Sequence, residues 1–377
     1  MYDIIIIGLG SMGSSALCHL AKAGVKVLGI EQFGISHDQG SHSGKTRIVR
    51  KAYFEHPDYV PLLEKAYQGW TELEEETGKG LFQRTGLAYF GKPNHPVLKG
   101  VKESSNLYSI PLQTIPKNEF KQFDLDSEFE CLLEPDAGFA LTDLTIKSLV
   151  DLAMNQGAET RVNESFINFE EHSDYISVRT SKDTYSTKKL ILSTGAYINN
   201  LIDSLKIDLK VTRQLLYWIE PNDKTNFQLR NFPCWMIADD EFPGLFYGFP
   251  ILPKDQPGGN GLLKVAHHTT GVPIVPSELN EFNEEEEKEI IKSVLEKNIP
   301  DALGEIKTVS ACMYTNTTDE NFILDFLPDS KQQIILATGF SGHGFKFVPV
   351  IGEIITELVT EGKSKLPIDF LGINRFK

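Results

Sequence analysis

Apolar and polar residues alternate along this chain in two rhythms, and Asp3-Ile4-Ile5-Ile6-Ile7 sets the first. An unbroken β-branched run is what a strand buried on both faces of a parallel sheet requires. The turn Gly8-Leu9-Gly10-Ser11-Met12-Gly13 follows, and the spacing from Ser14 to Ala23 predicts a helix closed by Gly24. Val25 to Ile30 reads as a second strand ending on Glu31. Two more apolar runs, Leu190 to Thr194 and Ile334 to Thr338, lead into Gly195 and Gly339. The other rhythm fills the stretches between, with prolines, short alternating strands such as Leu245-Phe246-Tyr247-Gly248-Phe249, and an acidic helix from Glu284 to Glu296. The Glu284-Glu285-Glu286-Glu287 run belongs to a solvated helix face rather than a metal site.

Strand, glycine turn, helix, strand and terminal acid form a βαβ unit that binds a dinucleotide. Gly8, Gly10 and Gly13 let backbone approach a diphosphate at the helix N-terminus, and Glu31 stands about where an acid meets the adenosine ribose. Nicotinamide dehydrogenases keep this fold contiguous, whereas the strand-to-glycine pieces here span the whole chain. A discontinuous flavin-type domain accounts for that spread. The expected fold is therefore mixed α/β: a Rossmann-like FAD-binding domain from 1–84, 143–211 and 306–377, and a substrate domain from 85–142 and 212–305 with a mixed, largely antiparallel sheet.

Length and charge bound the function. A chain of 377 residues exceeds one simple core, so two joined domains are expected. A formal charge of −15 argues against nucleic acid and anionic membrane as partners, because phosphate binding needs a basic surface. Cys18, Cys131, Cys234 and Cys312 lie far apart, which indicates neither a disulfide framework nor a zinc site. No apolar run approaches the ~20 residues of a membrane span, and no leader pattern precedes the first strand. A soluble cytoplasmic protein is the expectation.

Two segments carry candidate chemistry. In Gly339-Phe340-Ser341-Gly342-His343-Gly344-Phe345-Lys346-Phe347, three glycines and a lysine stand at the start of a helix expected near Phe347, a place for an anion or a flavin edge. In Gly40-Ser41-His42-Ser43-Gly44-Lys45-Thr46-Arg47-Ile48-Val49-Arg50-Lys51, four cations fall within seven residues. Lys45 and Lys51 read as surface charges. Arg47 and Arg50 present forks suited to a carboxylate or flavin carbonyls, and their spacing would put them on one face of a helical turn.

With these segments, Tyr59-Val60-Pro61-Leu62, Tyr247-Gly248-Phe249-Pro250 and Cys312-Met313-Tyr314-Thr315 complete a set that runs through nearly the entire chain. The chain resembles the monomeric sarcosine oxidase and N-methyltryptophan oxidase family of FAD amine oxidases, related in fold to D-amino acid oxidase. The resemblance implies FAD joined covalently to Cys312 and a substrate carboxylate clamped by Arg50 and Lys346. It sets Arg47 against the flavin ring, Thr46 on the same cofactor-facing turn, and Lys264 over flavin N5 to promote reaction with oxygen. It makes His268 an active-site histidine and Tyr247 and Tyr314 walls of the amine pocket. Adjacent His267 and His268 would point to opposite strand faces, which argues against a shared metal.

The implied reaction is oxidative demethylation of a secondary amino acid with O2 to a primary amino acid, formaldehyde and hydrogen peroxide, by a monomer. The rivals are a flavin dehydrogenase, an oxidase of another secondary or cyclic amino acid of the pipecolate kind, and a non-catalytic flavoprotein that binds an amino acid. Lys45 and Lys51 stand where relatives carry Asp and His. The stretch from Cys234 to Leu245 is the expected pocket roof, and it leaves the side chain of the substrate open.

Overall fold

The computed structural model describes residues 1–200 and 207–376, so 201–206 of the expected segment 143–211 lie outside the described residues. The opening run forms the strand Tyr2–Ile7, buried on both faces as its composition requires: Ile4 and Ile6 join one core, Ile5 and Ile7 another. It pairs in parallel with Val27–Ile30 on one side and with Thr184–Leu192 on the other. Ile334–Thr338 adds in parallel beyond Thr184–Leu192, and Glu159–Arg161 beyond Val27–Ile30. Three antiparallel strands, Phe166–Glu171, Ile176–Thr180 and Ile323–Phe326, complete an eight-stranded sheet.

The helices Ser11–Lys22, Thr142–Asn155 and Val348–Glu361 cover one face of this sheet. The first begins three residues earlier than its apolar spacing suggests, because the glycine turn flows directly into it. Ser15 Oγ donates to Val348 O at 2.5 Å, so the first and last helices are joined across the length of the chain.

A nine-stranded sheet forms the second layer. Its pairings are antiparallel except for Leu87–Gly91 beside Cys234–Ala238. The long strands Lys210–Pro221 and Gly304–Asn316 pair along their whole length, which places Cys312 opposite Gln214 and Tyr314 opposite Thr212. Gly304–Asn316 thus belongs to this sheet although the segment 306–377 was expected in the nucleotide-binding half. Period-two alternation divides the two faces. Leu215, Tyr217, Ile219, Leu263, Val265, Ala311 and Met313 pack outward with the helix Glu285–Asn298, whereas Leu216, Trp218, Ala266, Cys312 and Tyr314 turn inward. A three-stranded sheet, Thr46–Val49 with Gly138–Leu141 and Phe82–Gln83, completes the β-structure. Among the described residues no helix is long and apolar enough to cross a membrane.

Candidate active site

One cavity of about 560 Å3 runs from the carboxyl ends of the parallel strands to the inward face of the second sheet. Gly8, Gly10, Ser11, Met12 and Glu31 line its first end, and Gly339 through Lys346 line one wall. Arg50, Phe54, Glu55, Met236, Leu245, Tyr247, His268 and Tyr314 line the far end.

The first end is built from backbone. A side chain on Gly13 would overlap the Gly8 carbonyl oxygen, so only glycine lets the helix start close against the strand and aim its free N–H groups into the cavity. Glu31 is buried at the tip of its strand, with Oε2 accepting from Leu9 N at 2.8 Å and Oε1 from Phe33 N at 3.0 Å. Burial alone would raise its pKa, but His37 at 3.4 Å and these N–H groups hold it below the usual carboxylate range. Besides Arg50 Nε at the far end, three polar atoms of described lining residues are buried without a partner: His42 Nε2, Thr194 Oγ1 and Thr315 Oγ1. Burial pushes His42 down to about 3, so it is a neutral imidazole. Unpaired buried donors cost about 1–3 kcal/mol each, and a dinucleotide reaching from the glycine turn past Thr315 would satisfy them. The residues therefore fit a flavin dinucleotide.

The far end is cationic and lined with aromatic residues. Arg50 is 2% exposed, and its guanidinium donates to both oxygens of Glu55 at 2.5 and 2.7 Å and to Ala52 O at 2.9 Å. Its Nε is buried with no partner. Burial works against both charges, yet the pair prevails: Glu55 falls to about 2 and Arg50 rises. Lys346, in the short 3-10 turn Phe345–Phe347 that opens the last helix, donates to His343 O at 2.6 Å. Burial, with Arg50 adding repulsion, brings its pKa down to about 7. Gly342 adopts φ 77° and passes its backbone against the Tyr314 ring, where any side chain would overlap. His343 is held at both ring nitrogens, by the Tyr53 hydroxyl and Glu320 O.

The inward sheet face supplies the remaining side chains. Tyr247 lies opposite Ala266, and Leu245 opposite His268. His268 Nδ1 lies 3.2 Å from the Tyr314 hydroxyl, and burial lowers its pKa to about 4. Its neighbour His267 points away, stacked on Phe246 at 4.2 Å. Lys264 sits four residues before His268 on the same face, 3% exposed, with Nζ donating to Gly44 O at 2.7 Å, Thr46 O at 2.9 Å and Thr46 Oγ1 at 3.1 Å. Burial, and then Arg47, push its pKa well down.

Most of the residues singled out in the sequence meet in this cavity, with several differences. Arg47 and Arg50 do not share a helical face: Thr46–Val49 is a strand, extended by pairing with Gly138–Leu141, and Arg50 follows it. Arg47 lines the cavity while its guanidinium holds the turn before it, donating to Ser41 O, Ser43 O and Thr46 O at 2.6–2.8 Å. Thr46 lies in the strand rather than on a turn and receives Lys264 instead of facing the cavity. Lys264 and Cys312 stand behind the lining, with Arg47 acting electrostatically on both. Cys312 is a free buried cysteine whose thiol burial pushes up. Glu55, Phe54, His37 and Glu164 also line the cavity and were missed by sequence reasoning. Glu55, four residues after Lys51 at the end of the cationic segment, was the one with a local signal.

Comparison with known proteins gives the family of the chain. The model of the DAO family of FAD-dependent oxidoreductases matches residues 3–358. A monomeric sarcosine oxidase of Streptomyces avermitilis is 34% identical over 372 residues, covering 97% of this chain and 96% of that protein. An N-methyl-L-tryptophan oxidase of Yersinia pestis is 30% identical over 384 residues, covering all of both. Among solved structures, NikD, an unusual amino acid oxidase essential for nikkomycin biosynthesis, superimposes with a TM-score of 0.86 at 23% identity over 98% of this chain and 97% of its own.

Proposed function

The chain belongs to the DAO family of FAD-dependent oxidoreductases, and from that premise we propose that it is an amine oxidase that demethylates N-methyl amino acids of the sarcosine or N-methyltryptophan type. The products would be the primary amino acid, formaldehyde and hydrogen peroxide. One observation carries the reading: Arg50 and Lys346, from opposite ends of the chain, line the same cavity as the dinucleotide cradle, between aromatic walls. Two cations fixed there hold a carboxylate, and so set one N-methyl carbon against the cofactor.

FAD, when bound, accepts two electrons from the substrate carbon and passes them to O2. Gly8, Gly10, Ser11, Met12, Gly13 and Glu31 would hold its adenosine diphosphate half; Arg47, Gly339, Phe340, Gly342, His343 and Gly344 would hold the flavin half. Thr46 would support that half through Lys264, and Cys312 Sγ would carry the covalent link. Neutral His268 has Nδ1 engaged by Tyr314, which leaves Nε2 to accept a hydrogen bond from the substrate amine. Tyr247 and Tyr314 exclude water from the amine. Lys264 would act from behind the lining as an N–H donor, its charge disfavoured by burial, on the place where oxygen gains electrons. The protein would act as a cytoplasmic monomer on free substrate.

Anaerobic titration of the yellow protein with sarcosine, N-methyltryptophan and pipecolate tests the reading. Bleaching by an N-methyl amino acid, with formaldehyde and peroxide appearing once air is admitted, is the expected result. An unbleached flavin across the panel would refute it. Acid precipitation should leave the colour with the polypeptide, and loss of colour to the supernatant would remove the Cys312 link.

A further inference from the structure

Glu134 is the most deeply buried carboxylate in the second sheet, 0% exposed, and takes no part in the reaction proposed above. It ends the strand Glu130–Glu134, opposite Leu87, where the chain turns toward Gly138–Leu141. That next strand pairs with Thr46–Val49, which leads into Arg50. Glu134 thus stands where the second sheet meets the small sheet.

Its oxygens reach the backbone just beyond Arg50. Oε1 accepts from Lys51 N at 2.6 Å, and Oε2 from Ala52 N at 3.2 Å and the Tyr89 hydroxyl at 2.9 Å. Arg50 Nη1 donates to Ala52 O at 2.9 Å, so the carbonyl of the residue held by Glu134 orients the guanidinium. Burial raises the Glu134 pKa, and the three donors and the nearby Arg50 charge work against that rise. A buried carboxylate costs several kcal/mol unless its partners need the charge. Two backbone N–H groups and a phenol alone could be met by a neutral acceptor. The remaining influence on it is the charge of Arg50, whose fork holds Glu55.

We infer that Glu134 is a positioning residue for Arg50: it fixes the Lys51–Ala52 backbone and so sets the guanidinium that receives the substrate carboxylate. The inference rests on the carboxylate site proposed above. It assigns substrate selection partly to a residue outside the cavity.

Acetate binding to the holoenzyme, read from the flavin absorbance, tests it without turnover. Glu134→Gln should weaken acetate ~10-fold and lower kcat/KM for the carboxylated amine through KM rather than kcat. It should penalise a secondary amine lacking a carboxylate far less. Tyr89→Phe should act in the same direction by ~2- to 3-fold, and it decides the matter by the same comparison if Glu134→Gln does not accumulate. In an Arg50→Gln background the Glu134 substitution should add nothing, because the group it positions is gone. Acetate affinity unchanged in Glu134→Gln, equal losses for both amines, or an undiminished effect without Arg50 would each overturn the inference. If Arg50→Gln itself leaves acetate binding intact, the carboxylate site fails and takes this inference with it.

Discussion

The two ends of the cavity are made in different ways. At the parallel sheet the ligand surface starts from backbone, and its glycines, helix N–H groups and Glu31 fall within residues 8–31. At the second sheet it is side chains, and Arg50, Met236, Tyr247, His268, Tyr314 and Lys346 come from strands and turns scattered between positions 50 and 346. A backbone site is specified by short local sequence and tolerates few substitutions. A side-chain site is specified by strand register and can be retuned one residue at a time.

Breaking the first end should have the largest effect. Gly13→Val places a branched side chain against the Gly8 carbonyl, so the helix cannot start where it does. Expected is colourless or insoluble protein, measured as the ratio of flavin absorbance to protein absorbance. A yellow, active variant would mean that the backbone end is as adaptable as the side-chain end.

Lys264→Met comes next. Electrostatic groups at a developing charge contribute ~10²- to 10³-fold, so reoxidation by O2 in stopped flow should slow by about that factor. Anaerobic reduction by substrate should change much less. Equal slowing of both half-reactions would show that Lys264 only supports the Gly44–Thr46 turn through its three hydrogen bonds.

The smallest effect is a matter of pH. Lys346, brought to about 7 by burial and Arg50, is cationic below that value and neutral above it. An anion loses its partner as pH rises, so the acetate Kd should climb from pH 6 to pH 8.5 by at most ~10-fold per unit. Lys346→Met should flatten the profile, and a flat wild-type profile would leave Arg50 as the whole clamp.

Legibility follows the same division. The turn Gly8–Gly13, the strand before it and the segment Gly339–Lys346 were readable because each meets its requirement within a few residues. Cys312, Tyr314, Lys264 and His268 were reached by resemblance, since lone residues in apolar strands carry no local mark. The spacing of Arg47 and Arg50 suggested a helical turn, but pairing with Gly138–Leu141 overrode that local preference. Glu55 and Glu134 went unread because their meaning lies in Arg50, which folding alone brings to them.

The sequence by itself determined the βαβ unit, the inventory of glycines and cations, and the inward or outward alternation of each strand, because these depend on sterics and periodicity along a few residues. Tertiary structure alone decided that Cys312 and Lys264 lie behind Arg47 and that Glu55 occupies the Arg50 fork. It also decided that Glu134, outside the cavity, holds the Lys51 and Ala52 amides next to Arg50. Those facts are set by which strands pair and in what register, a long-range balance of burial and charge that no short segment encodes.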